Sequence, residues 1–471
     1  MTYGRLTTAL VQQLVDICGA SNVIYGDAEK LEPYSHDEIA DERYHHSPEV
    51  VVKPRTTQEI SAIMRLANEH RIPVTPRGAG SGLSGGAVPL YGGIVLSVER
   101  MNTILEIDTA NLMVTVEPGV VTNEINEAVK EHGLFYAGYP MSLETCYIGG
   151  NVAENAGGGK AIKYGVTGRY VHGLECVLPN GDVLRLGGKR MKDVTGYDLI
   201  HLLVGSEGTL AVFTEITLKL MALPKAAADL LVLFPDPASA IGMVPRIMTE
   251  SGIVPTAIEF MDRLSAQTSC DYLNEHFAYQ EAGAMLLITV DGYDVEQVER
   301  DYEAIGELCL AHGAIEVYVA DNPTTSERVW RVRRNIAEAF KVYSPIQSIE
   351  DIVVPFADIP RLMPELERIS ARYNVVIPCY GHAGDGNLHA TIVKKPEMPL
   401  VEWEEQLGEV LVELYRTTIA LGGTISGEHG IGHKRKHFMH LAMTPAELAL
   451  MKRIKLAFDA NYILNPGKVI D

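Results

Sequence analysis

The sequence predicts an α+β protein of more than one domain, and three observations lead there. Its 471 residues are enough for two or three domains with well-buried cores. From about Pro54 to Leu220, short β-rich runs alternate with Gly-rich loops and a few helices. From about Ala222 to Met398, strand-like runs alternate with amphipathic helical stretches, and from about Val401 helical periodicity returns around a Gly/His-rich loop.

The elements follow in chain order. Thr56 with Glu59 three residues on reads as a capping box, and Ile60, Ile63, Met64 and Ala67 recur behind it at helical spacing. A second helix runs through Ile125, Ala128 and Val129 and stops at Gly133, a C′ glycine. In the next region the runs 229–234, 256–261, 285–291 and 315–319 read as strands. Val295, Val298, Tyr302, Ile305 and Cys309 mark an amphipathic helix between two of them. That order suits a βαββαβ-like, ferredoxin-like split sheet with helices on one face. The expected domains are therefore 1–221, 222–400 and a helical 401–471.

Composition excludes several classes. A net charge of −21 speaks against a nucleic-acid partner, because phosphate binding needs a basic surface. No apolar run approaches the roughly 20 residues of a membrane span. The first residues lack a basic stretch followed by an apolar one, so no signal peptide is expected. The six cysteines are scattered without C-x-x-C spacing, which argues against an iron–sulfur cluster or zinc knuckle. They read as reduced, mostly buried thiols of a cytoplasmic protein.

The first chemical signal is the loop 74–88, where five glycines fall within nine residues after a short apolar run. Successive backbone N–H groups in such a loop form a nest for a pyrophosphate. Gly80-x-Gly82-x-x-Gly85 matches the dinucleotide fingerprint, but that motif needs a helix to begin inside it. Gly86, Pro89, Gly92 and Gly93 follow instead, so the NAD reading is rejected. Further loops rich in Gly, Asn and Ser lie at 139–159, 163–168 and 205–210. Together they suit an extended, polar, flat ligand.

The second signal is Tyr380-Gly-His-Ala-Gly-Asp-Gly-Asn-Leu-His-Ala390, two β-like runs joined by a tight turn, which brings His382 and His389 close. The third is Ser426-Gly-Glu-His-Gly-Ile-Gly-His433, with Glu428 and His429 adjacent. Two histidines and a carboxylate form a natural divalent-metal set. A metallohydrolase uses the same ligands. However, the chain has no H-E-x-x-H helix, and the Gly-rich loops argue for a cofactor. Arg331, Arg333 and Arg334 offer cations for an anionic substrate, but on a helix they point different ways.

Arg77-Gly-x-Gly-Ser-Gly, Ile148-Gly-Gly-Asn-Val-Ala-Glu-Asn-Ala-Gly-Gly158, Gly205-Ser-Glu-Gly-Thr-Leu210 and Asn465-Pro-Gly-Lys-Val469 occur in the order seen in vanillyl-alcohol-oxidase-type (PCMH-type) FAD proteins. The chain resembles the FAD-linked D-lactate, glycolate and D-2-hydroxyglutarate dehydrogenases over nearly its whole length. The resemblance implies a two-lobed FAD domain completed by the C-terminal tail, with an inserted α/β substrate cap. It places Arg77, Gly78, Ala79, Gly80, Ser81, Gly82 and Leu83 at the pyrophosphate. Pro140, Ser142, Gly149, Gly150, Asn151 and Ala153 follow the flavin and ribityl chain, and Gly168, Glu207 and Asn465 complete the cofactor set. Ser81 stands where some relatives carry a histidine bonded to FAD, so non-covalent FAD is expected.

The same resemblance assigns His382, His389 and Glu428 as ligands of a divalent metal, iron or zinc. His429 becomes the base, Asn387 orients the substrate, and Arg333 holds its carboxylate. Ile349 and Glu350 precede a strand where the 2-hydroxyglutarate relatives are expected to carry a lysine, which favours a monocarboxylate such as D-lactate. The implied reaction oxidises a small 2-hydroxy acid to the 2-oxo acid. The chain shows no second redox centre, so the electrons pass to an external acceptor such as an electron-transferring flavoprotein. Two other readings are a non-catalytic flavoprotein subunit and a non-redox FAD enzyme such as an ether-lipid synthase. Intact His382, His389, Glu428 and His429 argue against the first, and a tight charged site fits the second poorly.

Overall fold

The helix behind Thr56 spans Thr57–His70 and buries Ile60, Ile63, Met64 and Ala67, the stripe its periodicity predicts. Thr56 accepts the N–H of Glu59 at 3.2 Å. The Glu59 carboxylate turns to the N–H of Arg55 at 2.7 Å, so only one arm of the expected capping box closes. The structure, a computed structural model, describes residues 2–39, 41–277 and 279–471. The chain divides into two units, one made of Met1–Gly157, Val166–Ala222 and Glu428–Asp471, the other of Gly158–Gly165 and Leu223–Gly427.

The first unit holds two main sheets. One has the order Val23–Tyr25, Val50–Val52, Ile94–Ser97, Val74–Arg77, with the last three strands parallel. Its central strands are apolar at almost every position because both faces are covered. Leu10, Leu14, Ile60 and Met64 from two helices pack with Val50, Val52 and Ile94 on one face. Leu31 packs with Val51 and Val95 on the other. The C-terminal tail extends this sheet: Leu464 bridges to Val74, and Ile463 and Leu464 enter the same core. The second sheet is antiparallel, in the order Ile104–Asp108, Met113–Val116, Val212–Lys219, Val171–Val177, Val183–Gly187.

The second unit is built on an antiparallel sheet of seven strands among the described residues. Their order is Glu316–Ala320, Ala226–Phe234, Ala284–Gly292, Ala257–Asp262, Cys379–His382, Asn387–Val393, Gln347–Val353. Here the expectation of helices on one face is corrected. Leu231, Leu233, Met285 and Leu287 pack against Ala266, Val329, Ile336 and Phe340 of three helices. Leu230, pointing the other way, meets Gly306 of helix Val295–Ala311. Strands buried on both faces require two helical layers.

The division also differs from the expected boundary at 400. Helix Leu400–Ala420 belongs to the second unit, where the Tyr415 hydroxyl donates to buried Glu350 at 2.5 Å. The short segment Gly158–Gly165 joins it too, because Lys163 Nζ and the Tyr164 hydroxyl bond Asp291 at 2.5 and 3.0 Å. All six cysteines are buried and outside disulfides. Burial pushes the thiols of Cys176 and Cys309 up to about 12. Among the described residues no helix is long and apolar enough to cross a membrane.

Candidate active site

In the first unit, the chain leaves strand Val74–Arg77 through bends and turns, and no helix begins between residues 78 and 90. The match to the dinucleotide fingerprint therefore lacks its helix, as expected. Residues 78–83 are half-buried. The Arg77 guanidinium does not line this loop's open side. It is 7% exposed and donates to the carbonyls of His36 and Pro33 at 2.7 and 2.9 Å. Arg77 thus braces the loop from behind, and a Cβ on Gly80 would sit 2.1 Å from its Nη2.

The second Gly-rich stretch forms helix Ile148–Glu154. Its paired glycines differ. A Cβ on Gly149 would lie 2.6 Å from the Cβ of Pro118, whereas one on Gly150 would meet nothing within 4 Å. Gly78 lies across from Gly150, its own Cβ position 3.7 Å from the Gly150 Cα. Gly150 therefore borders open space that a flat ligand can enter, and this fits FAD. Asn151 is spent internally on the Thr122 hydroxyl at 2.6 Å. Gly168 packs on Asn155, whose Oδ1 accepts its N–H at 2.8 Å. Pro140 is half-buried and Ser142 exposed, with the Ser142 carbonyl closing a turn onto Thr145 at 2.9 Å.

The C-terminal residues brace these loops. Asn465 donates to the carbonyls of Gly86 at 3.0 Å and Glu207 at 2.8 Å. Lys468 donates to Val88 at 2.6 Å. Glu207 in turn accepts the N–H groups of Ile431 and Gly432 at 2.8 and 2.6 Å, and its own N–H bonds the Ala153 carbonyl at 2.7 Å. This holds the loop that begins with Glu428 and His429, whose Oε1 and Nε2 atoms are 3.8 Å apart. Glu154, unremarked in the sequence, is half-buried beside this loop. Burial first, and then Glu207 and Asp37, push its carboxyl well above the usual range. Burial, with Lys468 and Lys436, pushes His433 down to about 4.

In the second unit, strands Cys379–His382 and Asn387–Val393 form the expected hairpin. Its turn closes through Gly386 at φ 85°, where a Cβ would strike the Val354 carbonyl at 2.0 Å. The rings of His382 and His389 lie edge to face with centroids 5.5 Å apart. Nδ1 of His382 donates to Oε1 of Glu259 at 2.6 Å. Nε of Arg333 donates to the other oxygen of Glu259 at 2.7 Å. Burial opposes ionisation of Glu259, but His382 and Arg333 outweigh it and hold the carboxyl below its ordinary value. Arg333 is the buried member of its triplet, and Arg331 and Arg334 are exposed.

The Asn387 amide donates to Oδ1 of Asp351 at 2.7 Å. Oδ2 of Asp351 accepts from the Ser426 hydroxyl and the Gly427 N–H, both at 2.8 Å. The second unit thus gathers His382, His389, Asn387 and Arg333, while Glu428 and His429 open the last segment of the first unit. Glu259 and Asp351 were missed by the motif reading. The signal was present, because a carboxylate inside a strand as apolar as Ile258–Phe260 needs a buried partner. The donor chemistry fits a divalent ion: a neutral imidazole that gives its Nδ1 proton to a carboxylate carries its lone pair on Nε2.

Residues 223–469 match the family described as FAD linked oxidases, C-terminal domain, and residues 48–187 match an FAD binding domain. The chain is 41% identical to the glycolate oxidase subunit GlcD of Bacillus subtilis, over 98% of this chain and 97% of that one. It is 36% identical to the D-lactate dehydrogenase of Anaerostipes hadrus, over 99% and 98%. Among solved structures, p-cresol methylhydroxylase superposes with a TM-score of 0.80 at 20% identity, covering 99% of this chain and 98% of the other, which shows the fold.

Proposed function

This chain belongs to the FAD linked oxidases and is an FAD-dependent oxidoreductase, and on that premise we propose that it oxidises a small 2-hydroxy acid, D-lactate first, to the 2-oxo acid. The proposal includes non-covalent FAD, a divalent metal on His382, His389 and Glu428, and electron transfer to an external acceptor such as an electron-transferring flavoprotein. The observation that carries it is the buried Glu259 carboxylate, which holds His382 through Nδ1 and Arg333 through Nε. A metal-facing histidine and a carboxylate-binding arginine are what an anionic hydroxy acid requires.

When bound, the flavin supplies a two-electron acceptor and the metal a charge that makes the substrate hydroxyl more acidic. Arg333 fixes the substrate carboxylate through the guanidinium N–H groups that Glu259 does not take. Asn387, held through its amide by Asp351, offers Oδ1 to the hydroxyl. His429 receives the hydroxyl proton at Nε2. Positioning of this kind matters because a misplacement of about 1 Å costs on the order of a hundredfold in rate.

Glycolate is the second reading, favoured by the 41% identity to a glycolate oxidase subunit. Anaerobic addition of D-lactate, L-lactate, glycolate and D-2-hydroxyglutarate, each to flavin-loaded protein, tests both. Bleaching by D-lactate, lost in His429→Ala or after chelation, is the expected result. Bleaching by glycolate alone selects the second reading. No bleaching by any acid, in protein shown to hold flavin and metal, refutes the 2-hydroxy-acid reading.

A further inference from the structure

We propose that Glu259 is a positioning residue shared by two parts of this site: with one oxygen it sets the tautomer of His382, and with the other it aims Arg333. The inference rests on the metal and substrate roles proposed for those two residues, and it adds a residue that no motif identifies. Glu259 is 0% exposed, on strand Ala257–Asp262 between Ala284–Gly292 and Cys379–His382. The register pairs Glu259 directly with His382. Its neighbours Ile258 and Phe260 are fully buried apolar residues, so its charge is compensated only by specific partners.

The two oxygens are used separately. Oε1 lies 2.6 Å from His382 Nδ1. An ionised carboxylate only accepts, so a proton is on Nδ1, and in the neutral ring the lone pair is then on Nε2, the form a metal ligand takes. Oε2 accepts Nε–H of Arg333 at 2.7 Å. Nη2 of Arg333 is also 2.7 Å from that oxygen, but at an angle that makes no hydrogen bond. The outer edge of the guanidinium is therefore left for another anion. The plane is steadied from the side by Tyr380, whose ring centroid is 5.3 Å from Cζ. A residue that served only to neutralise Arg333 has no need to orient a histidine.

Glutamine cannot replace this carboxylate. Its single oxygen serves either His382 or Arg333, and its NH2 then faces a donor. Aspartate keeps the charge but is one methylene shorter, so it reaches both partners less well. Outer carboxylates of this kind are typically worth ten- to a hundredfold in metal affinity.

The test uses the flavin-loaded full chain, with Zn2+ as probe in competition with a chromophoric chelator. Glu259→Gln is expected to weaken Zn2+ binding about ten- to a hundredfold. Glu259→Asp is expected to weaken it less, by at least about threefold. At saturating Zn2+ the glutamine variant also raises KM for D-lactate more than it lowers kcat, because Arg333 is misaimed before the reaction begins. If Glu259→Gln does not fold, Glu259→Asp decides the question by the same measurement. Zn2+ affinity within twofold of the unaltered chain in every folded variant overturns the role of Glu259 and leaves the proposed function intact. An unaltered chain that binds no Zn2+ overturns the zinc site and with it the role of Glu259, and the flavin-bleaching test decides the proposed function separately.

Discussion

Gly149 and Gly150 are neighbours on one short helix, and alanine at each should act in opposite directions. In a helix, Ala in place of Gly is worth about 0.5–1 kcal/mol. At Gly150 nothing opposes that gain, because the new Cβ meets no atom within 4 Å. At Gly149 the Cβ arrives 2.6 Å from Pro118 Cβ and 2.9 Å from its carbonyl oxygen. Carbon atoms in contact prefer about 3.5–4 Å, so the overlap is close to 1 Å. The backbone cannot retreat cheaply, since the Gly149 N–H is bonded to that carbonyl at 2.8 Å. Overpacking of this kind costs about 1–3 kcal/mol, and a strained hydrogen bond adds about 1 kcal/mol. The two variants should therefore differ by roughly 2–4 kcal/mol. For a unit of this size that separates their melting temperatures by on the order of 5–15 °C. The measurement is thermal unfolding of flavin-stripped protein, followed by circular dichroism. Flavin content, read by absorbance after reloading, is the second half of the test. Gly150→Ala should melt no lower than the unaltered chain yet hold less FAD, because its methyl group enters the open space beside Gly150. If the two variants melt together, or if Gly150→Ala binds FAD undiminished, the assignment of one glycine to packing and the other to the cofactor is wrong.

Two further predictions concern the first unit. Asn465→Ala removes two bonds to carbonyls, those of half-buried Gly86 and buried Glu207, and should destabilise the protein by about 1–3 kcal/mol with a matching loss of flavin; an unchanged melting temperature would show that the tail does not brace the loops. His433 bears on acid sensitivity. Its folded value of about 4 lies below the ordinary 6.5, so the folded state holds the neutral ring and the unfolded chain takes up the proton first. The stability it contributes is complete above about pH 6.5 and is lost as pH falls through about 4. His433→Phe should therefore flatten the fall in melting temperature across that window, and an unaltered slope would remove His433 from the account.

How much of this was legible in the sequence depended on whether a pattern had one physical cause. The stripe Ile60, Ile63, Met64 and Ala67 had one, burial of a helix face, and the helix lies where it was expected. The hairpin carrying His382 and His389 was legible because its Gly-Asp-Gly turn allows few alternatives. The sheet of the second unit was read with too few layers. A run such as Leu230–Phe234 is apolar throughout, and its individual residues do not say that odd and even positions meet different helices. The boundary at 400 failed for a related reason: helix Leu400–Ala420 is held to the second unit by Tyr415 on Glu350, a bond between residues 65 apart.

The site shows that residues of one motif also do structural work. Gly149 and Gly150 share one motif, yet Pro118 demands the first and open space surrounds the second. Arg77, Asn151 and Asn465 were grouped with the cofactor, and each directs its side chain to the protein's own backbone or to a hydroxyl. A loop that must approach a ligand closely must also be held rigid, and Gly and Asn satisfy both demands. Sequence spacing cannot separate the two. The converse holds for Glu259 and Asp351, which belong to no motif because each serves one strand position. What marks Glu259 is the cost of burying a carboxylate between apolar Ile258 and Phe260, which is met where a histidine and an arginine must be held in place. A buried acid flanked by apolar strand residues, as Glu259 is, is therefore a better guide to what orders a site than another glycine in a loop.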